Sequence, residues 1–186
     1  MSKRGSGKLR IIGGTHRSRI VDFDPATGVR PTPDRVRQTL FDWLAPVIEG
    51  ARCLDLFAGS GALGLEAISR GAGKVTFCEY GRHQVDLIRA ALIKLREEAR
   101  GEVIPTDGIT YLDLAPGRFH IVFLDPPFES DLLARALERL PHVLAPDALV
   151  YLEWPMKKKP ELPPGLSWHR EKEAGQVSFG LARNAS

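Results

Sequence analysis

Along most of the chain, short apolar runs alternate with segments whose apolar residues recur at helical spacing. The apolar runs predict strands at residues 52–57, 74–79, 101–107, 119–125 and 148–154. The helical segments are residues 61–71, 85–95 and 130–144. Strands that alternate with helices favour an α/β fold, in which a mostly parallel sheet carries helices on both faces.

The two ends of the chain depart from this alternation. Residues 166–183 predict two strands joined near Ala174-Gly175, which would form an antiparallel hairpin at the end of the sheet. Close to the N-terminus, the pairs Ile11-Ile12 and Ile20-Val21 flank Gly13-Gly14. This pattern predicts a second β-hairpin.

A helix is predicted after the N-terminal hairpin, in the stretch "RPTPDRVRQTLFDWLAPVI". Thr32 is expected to cap it, Pro33 suits its first position, and Asp34 suits the positive end of the helix dipole. We therefore divide the chain into an N-terminal arm, residues 1–31, and a main domain, residues 32–186.

Composition is typical of a globular protein with one hydrophobic core. Of the 186 residues, 43% are hydrophobic and 26% are charged. No apolar stretch reaches the ~18 residues that a membrane span needs, and the polar N-terminus lacks a signal-peptide core. We expect a cytoplasmic, monomeric protein that does not enter a membrane.

The cysteines and histidines do not indicate a metal site. Cys53 and Cys78 lie in predicted buried strands without a CxxC pair, and we expect both to be reduced core residues. The five histidines are scattered and lack the spacing of metal ligands. No metal is therefore expected.

Positive charge is concentrated in the N-terminal fifth of the chain. Residues 1–37 hold nine Lys and Arg against three acids, whereas the remainder holds seventeen against twenty. A basic hairpin on a mildly acidic body indicates an arm that binds nucleic acid. A solvated, partly disordered tail is the alternative that charge alone leaves open.

A glycine-rich loop follows the first strand of the main domain, in "DLFAGSGALGLE". Gly59, Gly61 and Gly64 match the GxGxxG pattern, and Glu79 ends the next strand twenty residues after Gly59. Such glycines allow a tight turn and close approach of a ligand, while the acid can accept both ribose hydroxyls of an adenosine. The pattern alone also fits enzymes that bind NAD.

Two further acids favour S-adenosylmethionine over NAD. Asp55, inside the first strand, would repel a pyrophosphate but could hold the ammonium group of S-adenosylmethionine. Asp107 follows the third strand, where the adenine amino group would lie. Either acid could instead be a strand-end cap or a surface charge, but ligands bind at the carboxyl ends of such strands, where Asp55, Glu79 and Asp107 all fall.

The fourth strand ends in "DPPF", from Asp125 to Phe128. The two prolines offer no N–H, so strand pairing must stop there. The Pro126 carbonyl and the Asp125 carboxylate are then two fixed acceptors beside the aromatic ring of Phe128. This arrangement suits a planar group that carries an NH₂, such as a nucleobase. A strand-ending turn with a packed Phe128 is the structural alternative.

Taken together, "DLFAGSGALGLEA" and "DPPF" resemble the amino-methyltransferases of the class I S-adenosylmethionine-dependent fold. The stretches "RIIGG", "RPTPDRVRQTLFDWL" and "HREKEAGQV" resemble, more narrowly, the bacterial 16S rRNA small-subunit methyltransferase D family, over roughly residues 8–183. That family methylates the N2 amine of one guanine, guanine 966, in 16S rRNA. The resemblance implies a Rossmann-like, seven-stranded sheet and an rRNA substrate on the assembling 30S particle.

The resemblance also implies roles for individual residues. The residues that would bind S-adenosylmethionine are Asp55, Phe57, Gly59, Gly61, Glu79 and Asp107. Those that would face the guanine are Asp125, Pro126 and Phe128. The residues that would contact RNA are Arg10, Arg17, Arg19 and Arg30. The stretch "LEWPMKKKP", which contains Lys157-Lys158-Lys159, has no role assigned by it.

Three other functions are open to this sequence. Amino-methyltransferases of adenine and cytosine in DNA share the motif, but they usually add a target-recognition region for which this chain has no room. A non-enzymatic RNA-binding protein would not need Asp55, Glu79 and "DPPF" intact. Enzymes that methylate a protein glutamine favour Asn as the first residue of the motif.

Overall fold

The computed structural model describes residues 5–28, 30–114 and 117–185. The β-strands are β1 Gly7–Arg10, β2 Ile20–Phe23, β3 Arg52–Asp55, β4 Lys74–Cys78, β5 Gly101–Ile104, β6 Phe119–Leu124, β7 Leu144–Pro155, β8 Leu166–Ala174 and β9 Val177–Asn184. The α-helices are α1 Asp34–Leu44, α2 Ala62–Ser69, α3 Arg82–Leu95, α4 Gly108–Leu114 and α5 Leu132–Arg139. Short 3-10 helices span Pro25–Thr27 and Leu140–Val143.

Seven of these strands form one sheet in the order β5-β4-β3-β6-β7-β9-β8. The strands from β5 to β7 in this order are parallel, and β9 and β8 add an antiparallel hairpin beyond β7. The order reverses direction at β3, which pairs with β4 on one side and β6 on the other. The predicted α/β fold and C-terminal hairpin are confirmed. A reversal of this kind leaves a crevice at the carboxyl ends of the strands, where ligands bind in open α/β sheets.

Apolar side chains on the two faces of the sheet form two buried clusters. One contains Phe41, Phe77 and Phe123 with helices α1, α2 and α3, and the other contains Leu54, Val122 and Leu137 with helices α4 and α5. The alternation of side chains along each strand assigns neighbouring residues to opposite clusters. Cys53 and Cys78 are both buried and free, as expected for reduced core residues.

The N-terminal hairpin forms, but its boundaries differ from the prediction. Strand β1 ends at Arg10, which pairs with Ile20, so Ile11-Ile12 lie outside the strand. Residues 11–19 instead form a loop that packs against the ends of α2 and α3, where its polar backbone finds partners. Residues 1–4 and Val29 of the predicted arm lie outside the described residues.

A buried carboxylate joins this loop to helices α1 and α2 of the main domain. Glu66 of α2, fully buried, accepts hydrogen bonds from the backbone N–H groups of Ile12 at 2.8 Å and Gly13 at 3.0 Å. It also pairs with Arg70 at 3.0 Å and with Arg37 of α1 at 3.4 Å. Glu66 thus joins the loop, α1 and α2 through charge-assisted hydrogen bonds, which are stronger than neutral ones.

Local rules mispredicted two helices and missed a third. Thr32 does not cap α1, which begins at Asp34 after Pro33 and has no side-chain cap. The predicted helix at residues 130–144 is α5 followed by the 3-10 turn, because Pro141 removes a backbone donor. Helix α4, only seven residues long, was not predicted. No described helix is long and apolar enough to cross a bilayer.

Candidate active site

All five parallel strands carry a carboxylate at or just beyond their carboxyl ends. From one side of the sheet to the other these are Asp107, Glu79, Asp55, Asp125 and Glu153. The first three follow or end β5, β4 and β3, and the last two belong to β6 and β7. The strand order reverses between β3 and β6. The first three acids therefore belong to a glycine-loop half of the site, and the last two belong to a "DPPF" half.

The glycine loop lies between β3 and α2. Gly59 and Gly61 adopt positive φ angles of 54° and 80°, a conformation that favours glycine. Gly64 lies so close to Phe77 that a Cβ atom would approach the ring to 2.2 Å. The first two glycines therefore shape the loop, and the third allows α2 to pack against β4.

Asp55 lies beneath this loop. It is buried, and its Oδ2 accepts a hydrogen bond from the Gly64 backbone N–H at 3.0 Å. Burial raises the pKa of Asp55 to about 7, opposed by the Gly64 bond and reinforced by the charges of Asp125 and Glu79. A cation or a hydrogen-bond donor in the crevice would therefore stabilise the ionised form of this carboxyl group.

Glu79 and Asp107 are held by neighbouring backbone groups. The two oxygens of Glu79 accept from the Gly59 N–H at 2.8 Å and the Gly81 N–H at 2.9 Å. Exposed Asp107 accepts from the N–H and the hydroxyl of Thr110, and these bonds hold its pKa below the usual value. Asp107 thus caps the N-terminus of α4, as the strand-end cap alternative predicted. Phe57 is half-buried and packs against the buried cluster that contains Leu54 and Val122.

The "DPPF" half follows strand β6. Asp125 is half-buried and accepts a hydrogen bond from the Thr32 hydroxyl at 3.4 Å. Pro126 is buried, whereas Phe128 has 46% of its surface exposed. Both line a cleft of about 510 Å³ whose far wall is formed by α5 and residues 155–163. The exposed ring favours a stacking surface over the packed-Phe alternative.

Glu153 is a candidate site residue that the sequence patterns missed. It is only 8% exposed, it neighbours Asp125 in the register of β6 and β7, and it accepts a hydrogen bond from the Tyr151 hydroxyl at 3.0 Å. Burial and the charge of Asp125 raise its pKa to about 8, while burial also raises the pKa of Asp125. The register predicts their contact, because Leu124 pairs with Leu152 and the next residues are these two acids.

The four candidate RNA-binding arginines are exposed, and two of them, Arg10 and Arg17, line the same groove. Arg10 pairs with Asp34 at 3.6 Å, and Arg17 lines a polar groove with Arg10 and Arg70. Arg19 donates to the Lys94 carbonyl at the end of α3.

The loop that carries Arg17 and Arg19 contacts the C-terminal ends of α2 and α3. These ends lie away from the carboxyl edge of the sheet. Arg30, by contrast, is two residues before Thr32, which contacts Asp125. Of the four arginines, Arg30 is thus the one nearest along the chain to a residue that contacts Asp125.

Comparison with known proteins agrees with this geometry. A family model described as conserved hypothetical protein 95 matches residues 9–183. Ribosomal RNA small subunit methyltransferase D of Escherichia coli (strain K12) is 44% identical over 180 residues, which are 95% of this chain and 90% of that protein. The chain belongs to the ribosomal RNA small subunit methyltransferase D family.

A second member of this family and a solved structure match this chain along nearly their whole length. The Haemophilus influenzae protein of that name is 40% identical over 183 residues, or 96% of this chain and 95% of its own. The solved Escherichia coli structure yhhF superposes with a TM-score of 0.89 at 41% identity and covers 97% of this chain and 100% of its own. The predicted family resemblance is confirmed.

A more distant solved structure extends the fold beyond the family. TYW2 from Pyrococcus horikoshii, solved in complex with MeSAdo, has a TM-score of 0.73 at 15% identity and covers 100% of this chain and 74% of its own. At this identity the likeness concerns the fold alone. It agrees with the Rossmann-like sheet described above.

Proposed function

We propose that this protein transfers a methyl group from S-adenosylmethionine to the N2 amine of one guanine in 16S rRNA, of the guanine-966 type. The observation that carries the proposal is the position of Asp125 and the exposed Phe128, which follow β6 next to β3, the strand that leads into the glycine loop, in a chain of the methyltransferase D family. The proposed substrate is 16S rRNA on the assembling 30S particle, modified in the cytoplasm by a monomer.

The glycine-loop half fits the proposed cofactor. When bound, S-adenosylmethionine supplies an electrophilic methyl group on a sulfonium. Gly59 and Gly61 let the backbone approach it, and the N-terminus of α2 suits its carboxylate. Asp55 suits its ammonium group, because a buried carboxyl group with a raised pKa gains from a nearby positive charge. Glu79 would exchange a backbone partner for the ribose hydroxyls, with Phe57 and Asp107 on the adenine side.

The "DPPF" half fits the guanine. Phe128 would stack on the base, while Asp125 and the Pro126 carbonyl would accept the two hydrogens of the N2 amine. These contacts favour a pyramidal nitrogen whose lone pair points at the methyl group, so that positioning supplies much of the rate. The amine nitrogen would gain the methyl group at the expense of the S–C bond of the donor, and Asp125 or solvent would accept the proton that the methylated nitrogen loses.

A three-substrate comparison tests the proposed function. Purified protein and radiolabelled S-adenosylmethionine would be incubated with unmodified 30S particles, naked 16S rRNA and double-stranded DNA. The proposal predicts N2-methylguanosine in the rRNA, mainly in particles, and no label in DNA. Label in adenine or cytosine of DNA would favour the DNA methyltransferase alternative instead.

Glu79 provides a test of the cofactor half. Glu79→Ala should weaken S-adenosylmethionine binding by about 1–3 kcal/mol, the range for losing hydrogen bonds to a charged group. Titration calorimetry would measure this, with Glu98→Ala, an exposed acid after α3, as the control. If Glu79→Ala binds as tightly as wild type, Glu79 does not hold the ribose.

The arm, residues 1–31, is proposed to anchor RNA, with residues 32–186 as the methyltransferase domain. Replacing Arg10, Arg17 and Arg19 together with Ala should flatten the slope of log affinity against log salt by about two units, because each lost phosphate contact removes about 0.7 to 0.9. Filter binding to 30S particles at several salt concentrations would measure the slope.

A matched triple variant controls for the change in net charge. Lys74, Arg118 and Lys172 are exposed on other elements, and their replacement with Ala should change the slope less. Equal slopes for the wild type and the arm variant would mean that the arm does not contact phosphate.

A further inference from the structure

Glu153 lies where methyl transfer alone does not require a second acid. Two acceptors suffice to hold the two hydrogens of an amine, and Asp125 with the Pro126 carbonyl already supplies them in the proposed mechanism. Placing a second, 8% exposed carboxyl group against Asp125 is energetically unfavourable, as the raised pKa values of both groups indicate. The arrangement therefore calls for a ligand that offers a third donor.

Guanine offers three donors in a row along one edge. The two N2 hydrogens are followed by N1–H. In 2-aminopurine and in adenine, by contrast, the N1 atom beside the amine carries no hydrogen and is an acceptor. The protein places three acceptors in a matching order. Pro126 and Asp125 are consecutive on the chain, and Glu153 on β7 neighbours Asp125. Glu153 also belongs to the wall of the cleft that Phe128 lines.

We infer that Glu153 determines specificity for guanine by accepting the N1–H of the target base while Asp125 and Pro126 hold its amine. This inference rests on the proposed function and deepens it. An ionised Glu153 would repel the N1 lone pair of a base that lacks this hydrogen. Tyr151, which donates to Glu153 at 3.0 Å, and Thr32, which donates to Asp125, hold the two carboxyl groups in place.

A base analogue isolates the N1 contact. 30S particles would be assembled from 16S rRNA with guanine or 2-aminopurine at the target position, since both carry the 2-amino group but only guanine carries N1–H. At about pH 9, where most of Glu153 is ionised, wild type should methylate guanine about tenfold faster, as expected for one hydrogen bond to a charged group. In Glu153→Gln the ratio should fall to within about threefold of unity, because an amide can present either a donor or an acceptor.

Glu161 supplies the matched control, since it is an exposed acid on the rim of the same cleft. Glu161→Gln should keep the wild-type ratio. A Glu153→Gln enzyme that keeps it as well would overturn the inference and leave the proposed function standing. Failure of wild type to methylate guanine at all would instead overturn the proposed function.

The wild-type enzyme provides a second test that needs no variant at Glu153. The groups around it are Asp125, Tyr151 and Thr32, with Lys158, Glu138 and Glu161 lining the cleft and Asp55 beyond Asp125. Below its raised pKa of about 8, Glu153 holds a proton that it can donate to an N1 acceptor; above it, Glu153 only accepts.

The guanine to 2-aminopurine ratio should therefore rise severalfold between about pH 7 and pH 9, on either side of that value. Because a ratio of two rates is measured at each pH, changes in cofactor binding or folding cancel. A ratio that does not change with pH would contradict the inference even if Glu153→Gln proved inactive towards both bases.

Discussion

Asp125→Ala should reduce methyl transfer by about 100-fold or more while leaving the affinity for S-adenosylmethionine near that of wild type. The loss is expected because this carboxyl group would hold the amine in line with the methyl group, and misplacement of a reacting atom by 1 Å can cost about 100-fold. Single-turnover rates on 30S particles and calorimetric titration with the cofactor would measure the two quantities separately.

Two further variants sharpen this test. Asp125→Asn keeps an acceptor oxygen at the same place and should retain much more activity than Asp125→Ala. Glu129→Ala removes an exposed acid next to Phe128 and should turn over like wild type. Wild-type rates in Asp125→Ala would show that Asp125 does not position the amine.

Glu66→Ala should lower the free energy of unfolding by about 3–5 kcal/mol, the range for removing one partner of a buried ion pair. The variant leaves Arg37, with 1% of its surface exposed, without its pairing to α2. It also leaves the N–H groups of Ile12 and Gly13 without their carboxylate acceptor. Arg37 retains Asp34 and the carbonyls of Thr32 and Arg10, so the protein should still fold.

Urea unfolding of Glu66→Ala beside Glu98→Ala would test this prediction. Glu98 is exposed, and its replacement should change stability by no more than about 0.5 kcal/mol. A loss of less than about 1 kcal/mol in Glu66→Ala would mean that the buried cluster contributes little net stability. The arm would then be held to the main domain chiefly by its other contacts, which include the pairing of His16 with Glu97 and the hydrogen bonds of Ser69.

The sequence predicted the positions of candidate residues best where they follow a strand directly. The glycine loop and "DPPF" each come after an apolar run, and the carboxyl ends of parallel strands necessarily meet at one edge. The sequence alone therefore places Asp55, Glu79 and Asp125 at one edge of the sheet. The same reasoning places Asp107 at this edge, where its carboxylate caps helix α4.

The residues that the sequence did not predict depend on contacts between distant segments. Glu153 becomes a neighbour of Asp125 only when β7 pairs in parallel with β6, and strand order cannot be obtained from periodicity. Thr32 matched a local rule for helix capping, but its hydroxyl instead meets Asp125, 93 residues away in the chain. Glu66 fell within a helix of otherwise apolar pattern, with nothing to mark its role.

Mass spectrometry of 16S rRNA from cells with and without the gene tests the central claim most directly. The account predicts that one N2-methylguanosine disappears on deletion, returns with the wild-type gene and does not return with Asp125→Ala. A nuclease digest would place the loss at a single guanine. An unchanged set of methylated guanines after deletion, or restoration by Asp125→Ala, would contradict it.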